Sequence, residues 1–450
     1  MNATSTTTKV TPGARALVLG LGRTGLSCAR FLRRNGVDVR VADTRERPPG
    51  YERLQRELPD VELRTGPFAA ALLENASQVV VSPGLSVREP VVVEARRRGL
   101  PVVGDIELFA REATAPVAAV TGTNGKSTVT TLVAEFATAG GRSALAGGNL
   151  GEPALDLLEL PVPDLYVLEL SSFQLETTSS LETRAATVLN ITPDHMDRYD
   201  SVDEYAAAKA RIFDRCDVAV VNADDAFVRG MPRPGQQVLS FSLAQGGADY
   251  TLLETPEPTL ARHGEPLLPL AEMRLQGRHN AANALAALAM GEALALPTQS
   301  SLATLRTFGG LPHRAQWIAD IAGVRYVNDS KGTNVGATVA AVSGLSGPLV
   351  VIAGGDGKGA DFGDLRAAFR DKVRHVVLIG KDAPRLEREL ASVVSTERAS
   401  DLPAAVRAAQ RAARAGDTVL LSPACASLDM FRDYTHRGDV FAAAVRELAR

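Results

Sequence analysis

Cysteine is scarce: Cys28, Cys216 and Cys425 are the only three in 450 residues. Thiols so few and so scattered exclude a disulfide framework and a cysteine-built zinc site, and they point to an intracellular, cytoplasmic setting. No apolar run approaches the roughly 18 uninterrupted residues of a membrane-spanning helix. The Thr-rich start, Met1 to Val10, has neither the basic head nor the apolar centre of an export signal. An excess of one charge is also lacking: 49 Lys+Arg stand against 52 Asp+Glu, and no Lys/Arg-rich tract breaks the balance. Without such a field, neither nucleic acid nor a membrane surface is expected as a partner. What remains, 45% hydrophobic and 22% charged residues, is the composition of an ordinary soluble protein. At about 150 residues per domain the length predicts three domains.

The run Ala16 to Leu19 ends in glycines, as buried parallel strands do, and is followed by helical spacing over Leu26 to Arg34 and a strand over Val37 to Ala42. This is a βαβ unit. Further strands are expected at Gln78 to Val81 and Pro101 to Val103, so residues 1–110 read as one α/β, Rossmann-like domain. After a polar joint at Arg111 to Pro116, the strand Val117 to Val120, a glycine-rich turn and a helix over Ser127 to Ala139 open a second α/β domain, residues 111–310, of the P-loop type. Its later strands are expected at Leu165 to Leu170 and Ala186 to Ile191. Met231 to Pro266 reads as loops with short hairpins, and Ala281 to Leu296 as a closing helix. Gly309 and Gly310 precede Leu311-Pro312 and form a candidate hinge. Residues 311–450 read as a third, Rossmann-like α/β domain with strands at Leu349 to Ala353, His375 to Ile379 and Thr418 to Leu421.

Between the strand ending at Val120 and the following helix lies Thr121-Gly122-Thr123-Asn124-Gly125-Lys126-Ser127-Thr128. Glycines let backbone N–H groups converge on phosphate oxygens, and the helix N-terminus adds positive potential. Lys126 can reach the outer phosphates, and the Ser127 or Thr128 hydroxyl can hold Mg²⁺. The expected ligand is a nucleoside triphosphate. The loop is a variant, because the usual spacing wants glycine where Val120 stands. The bland alternative, a glycine turn that merely caps a helix, leaves this combination of strand, lysine and hydroxyls unexplained.

Gly20-Leu21-Gly22-Arg23-Thr24-Gly25 matches G-x-G-x-x-G between a strand and a helix, with Asp43 closing the second strand. Such a turn suits NAD, a uridine diphosphate or another phosphate-bearing ligand equally well. Glu169 ends an apolar strand where ligands of parallel sheets collect, and its carboxylate can coordinate Mg²⁺. His195, in Asp194-His195-Met196-Asp197, is a candidate metal ligand beside a structural alternative. Spacing alone assigns Lys209 to a solvated helix face.

These motifs together resemble the Mur ligases of peptidoglycan synthesis. The resemblance spans nearly the whole chain and rests on the phosphate loop, Leu168 to Leu175, Asp194 to Tyr199, Gly277 to Asn280, Asn328 to Lys331, Gly354 to Lys358 and Ser422 to Ser427. The runs Ser171-Ser172-Phe173-Gln174-Leu175 and Ser422-Pro423-Ala424-Cys425-Ala426-Ser427 favour the D-glutamate-adding branch. The resemblance implies a cytoplasmic, monomeric, ATP-dependent ligase that joins D-glutamate to UDP-N-acetylmuramoyl-L-alanine. A first domain would hold the UDP moiety, a second ATP and a third the amino acid.

Residue by residue, the resemblance assigns Leu21, Arg23, Thr24, Asp43, Thr44, Arg45, Gly84, Asn149 and His195 to the UDP substrate. It assigns Gly122, Thr123, Asn124, Gly125, Lys126, Ser127, Thr128, Asn280, Asn283, Arg314 and Asp329 to ATP. Lys331, Thr333, Lys358, Ser427, Leu428 and Tyr434 fall to D-glutamate, with Tyr434 standing where the family has Phe. The implied catalytic group is Lys126, Glu169, His195 and Lys209. The implied metal group is Ser127, Glu169, His195 and Lys209, the last as a carbamate formed with CO₂, which reverses the solvated reading of that lysine. Other readings are a different ATP-dependent amide ligase (another Mur relative or a folylpolyglutamate synthetase), a NAD-dependent oxidoreductase, and a non-catalytic nucleotide switch.

Overall fold

The computed structural model describes residues 13–448 except 245, 276 and 346; the leader Met1 to Val10 lies outside them. Apolar runs become the buried strands β1 (Arg15–Leu19), β2 (Asp38–Asp43), β4 (Gln78–Val81) and β5 (Val102–Val103), which with β3 (Glu62–Thr65) form a parallel sheet of order β3-β2-β1-β4-β5. Helices such as Arg23–Arg34 and Pro90–Arg97 make the crossovers that parallel pairing demands. Strand β3, Glu-Leu-Arg-Thr, is a largely exposed edge with no apolar run to announce it.

The second sheet contains β6 (Val117–Thr121), β7 (Ala144–Gly148), β8 (Leu165–Glu169), β9 (Thr183–Val188), β10 (Cys216–Asn222), β11 (Gln237–Ser242), β12 (Tyr250–Leu253), β13 (Thr259–Arg262) and β14 (Glu265–Pro269), in the order β14-β13-β12-β11-β10-β9-β6-β8-β7. One expectation is corrected here and another is extended. Strand β9 starts three residues before Ala186, because pairing with β10 begins at Thr183–Cys216, and Leu189 to Ile191 leave the sheet to build the site. Met231 to Pro266 has the loops and short hairpins expected of it, and it also extends the sheet. It supplies β11 and β12, continuing the sheet in parallel, before the antiparallel β13 and β14. Its Gly and Pro signals obscured the buried Phe241, Tyr250, Leu252 and Leu260 between them. The helix expected over Ala281 to Leu296 spans Arg278–Ala293, and a further helix, Thr298–Thr307, follows it.

The third sheet has β15 (Gln316–Ile321), β16 (Val324–Asn328), β17 (Leu349–Gly354), β18 (Val373–Ile379), β19 (Ser395–Arg398) and β20 (Thr418–Leu421), in the order β15-β16-β20-β17-β18-β19. Only β15 runs antiparallel among these pairs.

The sheets join in two different ways. One apolar cluster runs from Leu26 and Phe31 of the first unit, through Ile106 and Phe109, to Tyr166 and Leu168 of the second. Phe109 meets Tyr166 edge-on with ring centres 5.1 Å apart. Burying each such side chain contributes about 1.5–3 kcal/mol, so these two units share one apolar core. Polar contacts reinforce the seam: Asp105 accepts from Gln174 at 2.9 Å, and Glu107 accepts from the backbone N–H groups of Ser179 and Ser180 at 2.7 and 2.9 Å. The two faces of the third sheet have clusters of their own. That unit meets the second through hydrogen bonds at the site.

Candidate active site

The phosphate loop leaves β6 and enters the helix Lys126–Ala139 through Gly125, which has φ +85°. A Cβ on Gly125 would lie 2.4 Å from the Asn283 side-chain oxygen, so both conformation and space demand glycine there. Asn190, beyond the end of β9, accepts from the Asn124 N–H at 2.8 Å and donates to its carbonyl at 3.1 Å. Lys126 folds over the loop, its Nζ donating to the carbonyls of Gly122 and Thr123 at 2.9 and 2.8 Å. Burial pulls its pKa below the usual lysine range, with Glu169 and Asp194 opposing that shift.

Around this loop three charged side chains converge. The Lys331 Nζ, from the third unit, donates to the Ser127 hydroxyl at 2.6 Å. Glu169 ends β8 and is almost wholly buried; one oxygen accepts from Asn149 at 2.6 Å, while Oε2 has no hydrogen-bond partner. Burial alone would raise its pKa, but the charges of Lys126 and Lys331 hold it below the ordinary value. Lys209, 2% exposed, sits on the inner face of the helix Val202–Ala210, so the solvated reading taken from spacing is corrected. Its Nζ donates to the Gly122 carbonyl at 3.0 Å and lies 4.7 Å from the centre of the Tyr205 ring. Burial, with Lys126 adding to it, drives the Lys209 pKa far below that of a free lysine.

A cavity of about 250 Å³ opens beside the loop between the second and third units. Asn124, Gly125, Asn283, Arg314, Asp329 and Lys331 supply its polar wall, and Leu189, Phe241, Ala282 and Ala341 its apolar one. Asn280 is buried beside it and accepts from the Asn283 amide at 3.2 Å. Burial raises the Asp329 carboxyl to about 6, while its oxygens accept from the Ser422 hydroxyl and the Ala315 N–H. His279 also lines this cavity. It stands in the Gly277 to Asn280 motif, but neither spacing nor resemblance assigned it a role.

A second cavity, about 330 Å³, lies at the C-terminal end of the first sheet, lined by Gly22, Arg23, Thr24, Asp43, Thr44, Arg45 and Gly84. Leu21 is absent from this lining. Its side chain is fully buried in the core, and its N–H donates to Asp43 at 2.7 Å. The Asp43 carboxylate also accepts from the Arg45 guanidinium at 2.8 Å. Burial would raise this acid, but Arg45 and the Leu21 N–H bring it below its usual pKa. Arg23 pairs with Glu152 at 2.6 Å.

The third cavity, about 450 Å³, is lined by Asp194, His195, Thr333, Asn334, Lys358 and Asp364, among others. Thr192 and Gly336 border both this cavity and the one beside the phosphate loop. Asp194 accepts from Asn334 at 3.2 Å and from the Lys358 Nζ at 3.4 Å, bonds that cross from the third unit to the second. Burial lowers the His195 pKa to about 4, against the pull of Asp194, so the ring is neutral at pH 7. Tyr434 lies under Lys331, whose Nζ is 5.1 Å from the ring centre and 3.5 Å from the hydroxyl. Ser427 is buried and Leu428 is 74% exposed; neither lines the three cavities described. Asn190, Asn334 and Asp194 are site residues whose assignment required the fold. The strand-end and motif positions of Asn190 and Asp194 were the available signals.

Fold and site together define a three-unit α/β enzyme that brings a phosphate loop to a cleft of buried lysines and carboxylates. Three family descriptions match in succession: "Mur ligase MurD-like, N-terminal domain" over residues 14–104, "Mur ligase middle domain" over 120–291 and "Mur ligase, glutamate ligase domain" over 313–425. The UDP-N-acetylmuramoylalanine–D-glutamate ligase of Nitrosococcus oceani is 54% identical, with 97% of each chain covered. That of Methylococcus capsulatus is 53% identical, covering 97% of this chain and 95% of its own. The chain therefore belongs to the Mur ligases, and within them to the UDP-N-acetylmuramoylalanine–D-glutamate ligase family. Among solved structures, the UDP-N-acetylmuramate-alanine ligase MurC of Thermotoga maritima shares the fold at TM-score 0.62 and 20% identity, over 96% of this chain and 99% of that one. The MurF ligase of the same organism, in complex with ADP, does so at TM-score 0.60 and 15% identity, over 97% and 96%.

Proposed function

We propose that the three cavities hold the three substrates of one amide-forming reaction, with the acceptor's UDP in the first unit, ATP beside the phosphate loop, and D-glutamate between Lys358 and Thr333. The chain is an ATP-dependent ligase that adds D-glutamate to UDP-N-acetylmuramoyl-L-alanine in peptidoglycan precursor synthesis. The observation that carries this reading is the common wall formed by Thr192 and Gly336. A phosphoryl donor on one side of that wall lies next to an amine on the other.

Carboxylates are poor acylating agents, so the acceptor's alanyl carboxylate first attacks the γ-phosphoryl of ATP, giving an acyl phosphate and ADP. The amine of D-glutamate then attacks the acyl carbon; the C–O bond to phosphate breaks, phosphate leaves and the nitrogen loses its proton. Lys126 and Lys331 place positive charge where the transferred phosphoryl group spreads negative charge. Lys358 receives a carboxylate of D-glutamate, with the Thr333 hydroxyl as a further donor. The bonds of Lys331, Asn334 and Lys358 across the junction exclude water from an intermediate that water would destroy, and Gly309 with Gly310 supplies the hinge for opening.

The buried, unpartnered Glu169 Oε2 and Thr128 Oγ1 fit a hard cation that takes oxygen ligands. Ser127, Glu169, His195 and a carbamylated Lys209 would hold Mg²⁺, which when bound offsets phosphate charge. The depressed pKa of Lys209 favours the neutral amine that CO₂ requires. Among the described residues no helix is long and apolar enough to cross a membrane. Because one chain lines all three cavities, the site needs no second copy, and the protein acts as a cytoplasmic monomer. Phosphate release with UDP-N-acetylmuramoyl-L-alanine, ATP and a panel of amino acids is the test. D-glutamate alone should give turnover, and turnover with another amino acid, or with none in the panel, would sink the reading.

A further inference from the structure

His195 has φ +58°, in the left-handed region that histidine enters more readily than most side chains. Its carbonyl accepts from the N–H groups of Arg198 and Tyr199 at 2.9 and 3.1 Å. Its ring packs edge-on against Phe173, with centres 4.8 Å apart. The Arg198 guanidinium lies 3.7 Å from the centre of that same Phe173 ring. The tip of this nearly buried fork is divided: Nη1 donates to the Pro83 carbonyl of the first unit at 2.8 Å, and Nη2 to Glu176 at 2.9 Å. Pro83 borders the second cavity next to Gly84. Arg198 therefore grips the wall of that cavity with its tip, and holds the Phe173–His195 pair with its flat face and its backbone. An ammonium has neither the flat face nor the fork.

We propose that Arg198 is a positioning residue that conveys occupancy of the first unit's cavity to His195, through the Pro83 carbonyl on one side and the Phe173 ring on the other. The proposal rests on the reading of that cavity as a uridine diphosphate site. A ligand settling against Gly84 displaces the Pro83 carbonyl, the guanidinium follows it, and the ring beneath resets the imidazole. His195 lines a different cavity from Gly84, so direct contact with the nucleotide is not the route.

The test uses the full chain with ¹³C-labelled histidines, six in all, the His195 signal being assigned by its loss in His195→Gln. Uridine diphosphate is the probe, at fixed pH, and calorimetry measures its binding. In the unsubstituted protein the probe is expected to bind and to shift the His195 signal. Arg198→Met should still bind it while the shift is lost, and kcat should fall on the order of 10- to 100-fold with KM for ATP unchanged. Arg198→Lys should behave like Arg198→Met; full recovery by lysine would overturn the geometric role. Phe173→Leu, which keeps the Pro83 bond but removes the ring, should also lose the shift, and it decides the matter if melting curves show Arg198→Met unfolded. A shift retained in both variants, or absent from the unsubstituted protein despite binding, overturns the proposal. Failure of the probe to bind at all would instead overturn the assignment of the cavity.

Discussion

Lys331 and Ser127 are 204 positions apart in sequence, and the lysine Nζ donates to the serine hydroxyl at 2.6 Å. The bond joins the turn after β16 to the phosphate loop after β6, and so spans the junction between the third unit and the second. Burial, with Arg314 nearby, lowers the Lys331 pKa to about 8, leaving it mainly cationic at pH 7.

Replacing Lys331 by Met should therefore remove a charge that acts on the phosphoryl group rather than one that holds the acceptor. A fall in kcat of roughly 10²–10³-fold is expected, with KM for the UDP substrate little changed. Steady-state kinetics check this, and a rise in that KM without loss of kcat would contradict it.

Lys126→Ala should abolish turnover, a loss on the order of 10³-fold or more, because the phosphate loop would lack its cation. Binding of the UDP substrate, measured by calorimetry, should persist because the cavity proposed for it belongs to the first unit. If both functions are lost together, the division of labour between the units is wrong.

For Lys209, removal of the side chain should abolish activity, and small carboxylates such as formate or acetate should partly restore it by occupying the position that the proposed carbamate would take. Activity of Lys209→Ala is assayed across a carboxylate titration. A lysine needed only for packing over Tyr205 would show no recovery.

Asp105 has one oxygen on Gln174 and the other buried without a partner, and burial raises its pKa to about 6. An acid with a raised native pKa binds its proton more tightly folded than unfolded. Its contribution is thus fullest below the unfolded value, roughly 3.9, and is lost as pH rises through 6. The linked loss is about 2–3 kcal/mol, and Asp105→Asn should flatten it. Denaturant unfolding at pH 4 and pH 8 compares the two proteins; an unchanged pH dependence would rule out Asp105 as its source.

The strands Gln78–Val81 and Thr418–Leu421 were legible to the residue, because a strand buried on both faces announces itself as a continuous apolar run between turns. Strand β3 and the hairpin strand β15 were not, since an exposed edge carries no such run. The phosphate loop was legible because its chemistry and its conformation require the same few residues in consecutive order. Lys209 marks the opposite case. Its helix is alanine-rich with little contrast between faces, so nothing local says that this lysine points inward.

Sequence by itself determined the three α/β units, the phosphate loop and the family, because each depends on short-range patterns: apolar runs, glycines that free the backbone, and motifs contiguous in the chain. Tertiary structure decided by what contacts the charges meet, and that Lys331 joins them. The ring of Lys126, Lys209, Glu169 and Lys331 is drawn from the ends of separate strands and helices, and burial there shifts their proton affinities far more than local sequence does. The physical reason is that side-chain charge acts through space and dielectric surroundings, and neither exists until the chain has folded.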